Sequence, residues 1–319
     1  MASHGDPRSD TDSVADLNSV LGTSLSIITQ FFFHSSLLKS LGASKLASRY
    51  HGEWFDKMRR SDTVLDRILD LGGKPASRAP SELHVGHDVP EILRSDLALE
   101  EKLMSDLREA STRSESSRDL KTYDLLTGIL KAEQAFTDWL REQLDQVERE
   151  GADKDESGRR VRDGLTLSRE KVVASLNEVL KIELSAITQV YYHSRMLETW
   201  GITKLHEFHA AETLEKTYRS VAMLKRLLAL DGMPAAEDHG KLSIGRDVPE
   251  MLSCDYQVQE TLIPSLQSAL DCCDSHADHE TREMLRGMLD CERKHSDWIR
   301  AQFDQIKQQG VEQYLQSQR

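Results

Sequence analysis

Two stretches, EWFDKMRRSD at 53–62 and ETLEKTYRSV at 212–221, each set a lysine and an arginine three residues apart: Lys57 with Arg60 and Lys216 with Arg219. That spacing puts both cations on one face of a helix. The face reads Glu53, Lys57, Arg60, Val64, Ile68 and, in the second copy, Glu212, Lys216, Arg219, Met223, Leu227, so it merges into an apolar stripe and should turn inward. Three other stripes carry polar residues at the same depth. They are Leu17, Leu21, Ser24, Ile28, Phe31; Leu93, Leu97, Glu100, Leu103, Leu107; and Leu126, Ile129, Glu133, Phe136, Leu140. Their copies are Leu176, Leu180, Glu183, Ile187, Val190; Leu252, Tyr256, Gln259, Leu262, Leu266; and Leu285, Met288, Glu292, His295, Ile299. Carboxylates and imidazole are groups that can ligate a metal ion. Ammonium and guanidinium groups have no lone pair to give a metal, but they can supply positive charge to buried carboxylates.

Positioning these residues falls to a unit written twice. FTDWLREQLDQVEREG (136–151) returns as HSDWIRAQFDQIKQQG (295–310), DRILDLGGKP as KRLLALDGMP, and GHDVPEIL as GRDVPEML. The offset is 159 residues throughout, from Trp139 to Trp298 and from Pro90 to Pro249. Four periodic segments are predicted in the first copy, near 15–42, 45–72, 90–111 and 118–149, with short breaks between first and second and between third and fourth. The stretch GGKPASRAPSELHVGHDVP joins the second to the third. Short loops between antiparallel helices plus one long crossover predict an all-α chain of two tandem four-helix bundles, up-down-down-up, of ferritin-like type. The expected organisation is a disordered tail at 1–13, a bundle at 14–151, a polar linker at 152–167 and a second bundle at 168–319.

The 319 residues carry a net charge of −13, which offers no basic face to phosphates and excludes nucleic acid as a partner. No apolar run approaches the roughly 18 residues of a membrane span, so no membrane partner and a cytoplasmic location are expected. The four cysteines lack C-x-x-C spacing, which argues against a disulfide framework. CCDSHADH at 272–279 has soft-metal residue types, although a polar loop between helices is the expected reading.

LRSDLALE (93–100), LNEVLKIELSAITQ (176–189), KLSIGRDVPEML (241–252) and GVEQYLQSQ (310–318) make both halves resemble bacterioferritin. The last of these is similar to the family's short fifth helix. The resemblance implies roughly two irons per bundle, held by one Glu from each of two helices and a Glu-x-x-His pair from each of the others. At those six positions the first half has Ser24, Lys57, Arg60, Glu100, Glu133 and Phe136; the second has Glu183, Lys216, Arg219, Gln259, Glu292 and His295. Two ligands remain in one half and three in the other. The expectation is a pseudo-ferroxidase with no structural di-iron centre, in which each Lys/Arg pair balances two carboxylates, Glu100 and Glu133 or Glu183 and Glu292. The competing readings are lysines that snorkel to solvent over eroded sites, or a working ferroxidase with unfamiliar ligands.

The resemblance further implies haem b at a two-fold interface, where the axial methionine position is Met58 in one half and Thr217 in the other. Asp56 and Glu215 match an interior carboxylate that could hold iron weakly. A hollow shell around a ferric mineral is implied, here a homo-oligomer of roughly twelve chains or a co-assembly with an active single-bundle bacterioferritin. Iron storage is therefore the expected role. A scaffold protein that has left iron metabolism and a haem-binding electron carrier are the alternatives.

Overall fold

The computed structural model describes residues 7–76, 84–152, 167–235 and 242–319. They form α1 (Pro7–Ser40), α2 (Ser44–Asp70), α3 (Val89–Ser116) and α4 (Leu120–Ala152) in one compact unit. The other unit comprises α5 (Leu167–Thr199), α6 (Thr203–Ala229), α7 (Val248–His276), α8 (His279–Gln309) and the short α9 (Val311–Gln318). No strand occurs among the described residues, and no helix there is long and apolar enough to cross a membrane.

Within the first unit α1 packs on α2 and α3, and α4 on α3 and more loosely on α2; α5 to α8 repeat the arrangement. The tight turns after α1 and α5 rest on Gly42 and Gly201, at φ 81° and 68°, where a β-carbon would be strained. Asn18 ties the start of the first crossover down, its Nδ2 donating to the Lys74 carbonyl at 2.9 Å; Asn177 does the same to Met233 at 3.0 Å. At the far end Gln30 Oε1 accepts from His84 N at 2.9 Å and Gln189 Oε1 from Ser243 N at 3.0 Å. Asp88 and Asp247 then cap α3 and α7 by accepting from Glu91 N and Glu250 N, each followed by a proline suited to the first turn.

The core of each unit is the predicted set of stripes: Leu17, Leu21, Phe31, Leu93, Leu103, Leu126 and Leu140 in the first, Leu176, Leu180, Leu252, Leu262, Leu285 and Ile299 in the second, all buried. The register of α3 and α7 differs from expectation. Leu97 and Tyr256 are only half-buried, whereas Asp96 and Asp255, one position earlier, are fully inside. Ranking by apolarity favours leucine and tyrosine over aspartate, and only bonded partners reverse that order.

The chain ends also differ. α1 begins at Pro7, inside the stretch expected as a disordered tail. Most of the expected linker, 153–166, lies outside the described residues. α9 is the expected fifth helix, its Tyr314 buried and donating through its hydroxyl to Gln302 Oε1 at 3.0 Å. The CCDSHADH segment is not a loop: Cys272, Cys273 and His276 lie in the last turns of α7, and only Ala277 and Asp278 separate it from α8.

Candidate functional site

At mid-height in the first bundle, Lys57 on α2 is 1% exposed. Its Nζ lies 2.7 and 3.0 Å from the two oxygens of Glu100 on α3 and 2.5 Å from Glu133 Oε2 on α4. Phe31 and Phe136 flank the ammonium, each ring centroid 5.5 Å away. Arg60, a turn further along α2, donates through Nε to Glu133 Oε1 at 2.8 Å and through Nη2 to Glu53 Oε1. Ser24 is buried in α1, at the position from which a fourth side could have supplied a carboxylate.

The second bundle keeps the plan and changes the supplier. Lys216 on α6 is 0% exposed and donates to Glu292 Oε1 on α8 at 2.7 Å and to Glu183 Oε2 on α5 at 3.2 Å. Arg219 Nη2 reaches the same Glu292 oxygen at 2.5 Å, with its Nε 3.7 Å from Glu183 Oε1. Gln259 on α7 stands where the first bundle has Glu100. His295 Nδ1 is held 3.1 Å from Glu212 Oε2 and 3.2 Å from the Gln259 amide, and 4.0 Å from Glu292 Oε2.

Burial dominates the electrostatics. It pushes the Glu100 carboxyl up to about 8 against the pull of Lys57, with Glu133 adding to the rise. Burial likewise raises Glu183 in spite of Lys216. Glu292 moves the other way: its burial is outweighed by Lys216 and Arg219, and it is held below the usual carboxylate range. Desolvation would lower both lysines, yet their carboxylate partners raise them, so each stays an ammonium. A lysine in this setting neutralises charge and closes the space between helices.

Glu53 and Glu212 belong to these clusters, and a balance of two carboxylates against two cations omits them. Glu53 is buried between Arg60 and Arg49, whose Nη2 is 3.3 Å away. Glu212 is lowered by His295 despite its burial. Each sits four residues before its lysine, on the same stripe, which is the signal available in the sequence.

The remaining expected residues stay outside the clusters. Met58 is half-buried on α2, and Thr217 at the matching position of α6 donates to the Thr213 carbonyl at 2.7 Å. Asp56 pairs with Arg59 next to it, and Glu215 is exposed.

A second buried polar group was hidden from the stripe pattern by the register of α3 and α7. In the first bundle Asp96 accepts from Gln30 Nε2 at 2.7 Å and meets His34 Nδ1 at 2.8 Å, with Tyr50 packed nearby on α2. The second bundle places Gln189, His193 and Asp255 at the same positions and His209 in place of Tyr50.

A ferritin-like domain model matches the chain twice, over residues 14–150 and 173–309. The bacterial ferritin of Pseudomonas aeruginosa is 37% identical over 149 residues, spanning 46% of this chain and 96% of that protein. The bacterial ferritin of Synechocystis is 33% identical over 148 residues (46% and 95%). The bacterioferritin of Mycolicibacterium paratuberculosis is 32% identical over 144 residues (45% and 91%). Each relative therefore corresponds to about one half of this chain.

Proposed function

Because the chain belongs to the ferritin-like family through both of its halves, we propose that it is a shell subunit of an iron store, a two-bundle bacterioferritin-like protein whose own oxidation centres have been replaced by salt-bridge clusters. The observation that carries this reading is the seat of Lys57 and Lys216. Each ammonium lies within 3.2 Å of two buried carboxylates on different helices. Iron binding there would need carboxylate and imidazole donors facing an open coordination position. Lys57 with Arg60, and Lys216 with Arg219, put fixed positive charge in that space instead, so the donor sets do not fit a di-iron centre. Iron in this reading is cargo, held as mineral by the assembly, and its oxidation belongs to a partner subunit or to the mineral surface.

Size and iron content test it together. Purified full-length chain, loaded aerobically with Fe(II) alone and with an active single-bundle bacterioferritin, is separated by size and each fraction assayed for iron. Ferric iron in a cage-sized fraction containing this chain supports the proposal. A particle of one or two chains that carries no iron under either condition overturns it and favours the scaffold reading.

A further inference from the structure

His193, His209 and Asp255 are all buried and come from three helices, α5, α6 and α7. Each offers one ligand atom, and these atoms all lie within 4.8 Å of one another. His193 Nδ1 is 2.9 Å from Asp255 Oδ1, and His209 Nε2 is 3.0 Å from Asp255 Oδ2. The edge of a tetrahedral zinc site with bonds near 2.0–2.2 Å is about 3.4 Å, so the two histidine–aspartate contacts need open only slightly, while the two imidazole nitrogens, no more than 4.8 Å apart, close around the ion.

The hydrogen bonds say more than the distances. His209 Nδ1 lies 2.7 Å from the Leu205 carbonyl, which can only accept, so that nitrogen carries a proton. Nε2 is then the nitrogen that faces the carboxylate, and its lone pair and the carboxylate oxygen can share the contact only across a cation. A proton is one such cation; a metal ion is the other. Imidazole locked by an N–H bond to a backbone carbonyl is the usual support of a metal-ligating histidine. Asp255 is also steadied from outside, accepting from Gln189 Nε2 at 2.9 Å. Burial would raise its carboxyl, but the two histidines override this and hold it far below the usual range.

We propose that the second bundle carries a mononuclear zinc-type site made by His193 Nδ1, His209 Nε2 and the carboxylate of Asp255. Two imidazoles and one carboxylate form a donor set suited to zinc, with both oxygens of Asp255 available to complete four-coordination. The ion takes the place of the proton on His209 Nε2, which leaves to solvent. His193 shifts its proton from Nδ1 to Nε2, giving up the 3.2 Å contact in which Nε2 accepts from the Gly245 N–H. One proton is released for each ion bound. Bundle 1 cannot do this, because Tyr50 stands at the position of His209. The site joins three helices and is separate from the Lys216 cluster, so it stands whether or not the storage reading does.

The test uses the full chain produced in zinc-supplemented medium, dialysed against metal-free buffer and assayed for zinc. Wild type should retain one more zinc per chain than His209→Tyr, a variant whose residue the first bundle already accommodates beside Asp96 and His34. Asp255→Asn should lose the ion as well, and His295→Ala should keep it. Protein grown with Co(II) should show the strong visible bands of a tetrahedral ion in wild type and not in His209→Tyr. Equal zinc in wild type and His209→Tyr, or loss confined to His295→Ala, would overturn the proposal.

Discussion

The centres of the two bundles hold the same lysine and the same fourth-helix glutamate but take their second carboxylate from different sides. In the first, Lys57 is completed by Glu100 on α3 and the α1 position is Ser24; in the second, Lys216 is completed by Glu183 on α1's counterpart, α5, and the α7 position is Gln259. What is held constant is the setting of the ammonium, with two buried carboxyl groups around it. Which helix supplies the second one is free to change, because either lies within reach of Nζ. The fourth-helix partner is less free, since it also serves the arginine a turn away.

The sharpest break of this comparison is removal of the lysines. Lys57→Ala or Lys216→Ala leaves two buried carboxyl groups without their cation and should destabilise its own bundle by about 3 kcal/mol or more. Denaturant unfolding followed by hydrogen exchange on peptides from each half checks it, with the untreated bundle as internal reference. Loss below ~1 kcal/mol would mean that the lysines escape to water.

A gain of chemistry separates the bundles next. The second lacks only three ligands, so Lys216→Glu with Arg219→His and Gln259→Glu should create aerobic Fe(II) oxidation at about two irons per chain. The first needs four changes, at Ser24, Lys57, Arg60 and Phe136, and the Lys57→Glu, Arg60→His pair alone should remain inactive.

Proton linkage divides them more gently. Glu100 is raised from 4.5 to about 8 by burial, so between those values the unfolded chain gives up its proton while the native bundle retains it. Its contribution to stability is therefore full below pH 4.5 and falls as pH rises to about 8. In the second bundle burial raises Glu183 as well, so its contribution also falls as pH rises, whereas Glu292 and Asp255 are lowered and theirs fade on acidification below the ordinary carboxylate range. Glu100→Gln should flatten the first bundle's decline between pH 5 and 8 and leave the second unchanged, as measured by pH-dependent denaturation of each half.

The smallest effect is a matched one. Asp88→Ala and Asp247→Ala each remove a helix cap and should cost about 1 kcal/mol, equally in the two bundles. Unequal losses would show that the scaffolds have diverged along with their centres.

Much of this was legible in the sequence because the 159-residue repeat aligned eight stripes and set Lys57 and Lys216 on inward faces. The bundle fold followed from loop lengths and periodicity. Hidden from that reading was the register of α3 and α7, where Asp96 and Asp255 displace Leu97 and Tyr256 from the interior. A buried aspartate is favoured only with its partners in place, and those partners, Gln30 with His34 and Gln189 with His193 and His209, lie on other helices. Glu53 and Glu212 were visible on their stripes, but their bonds to Arg60 and His295 depend on side-chain direction rather than spacing.

The most direct test of the central claim is the initial rate of aerobic Fe(II) oxidation by wild type, run beside the Lys216→Glu, Arg219→His, Gln259→Glu variant. Fixed ammonium groups at both centres predict a wild-type rate no higher than buffer and a clear rate for the variant. Rapid wild-type oxidation saturating at a few irons per chain, and abolished by Glu292→Gln, would contradict it and make the second bundle a working centre.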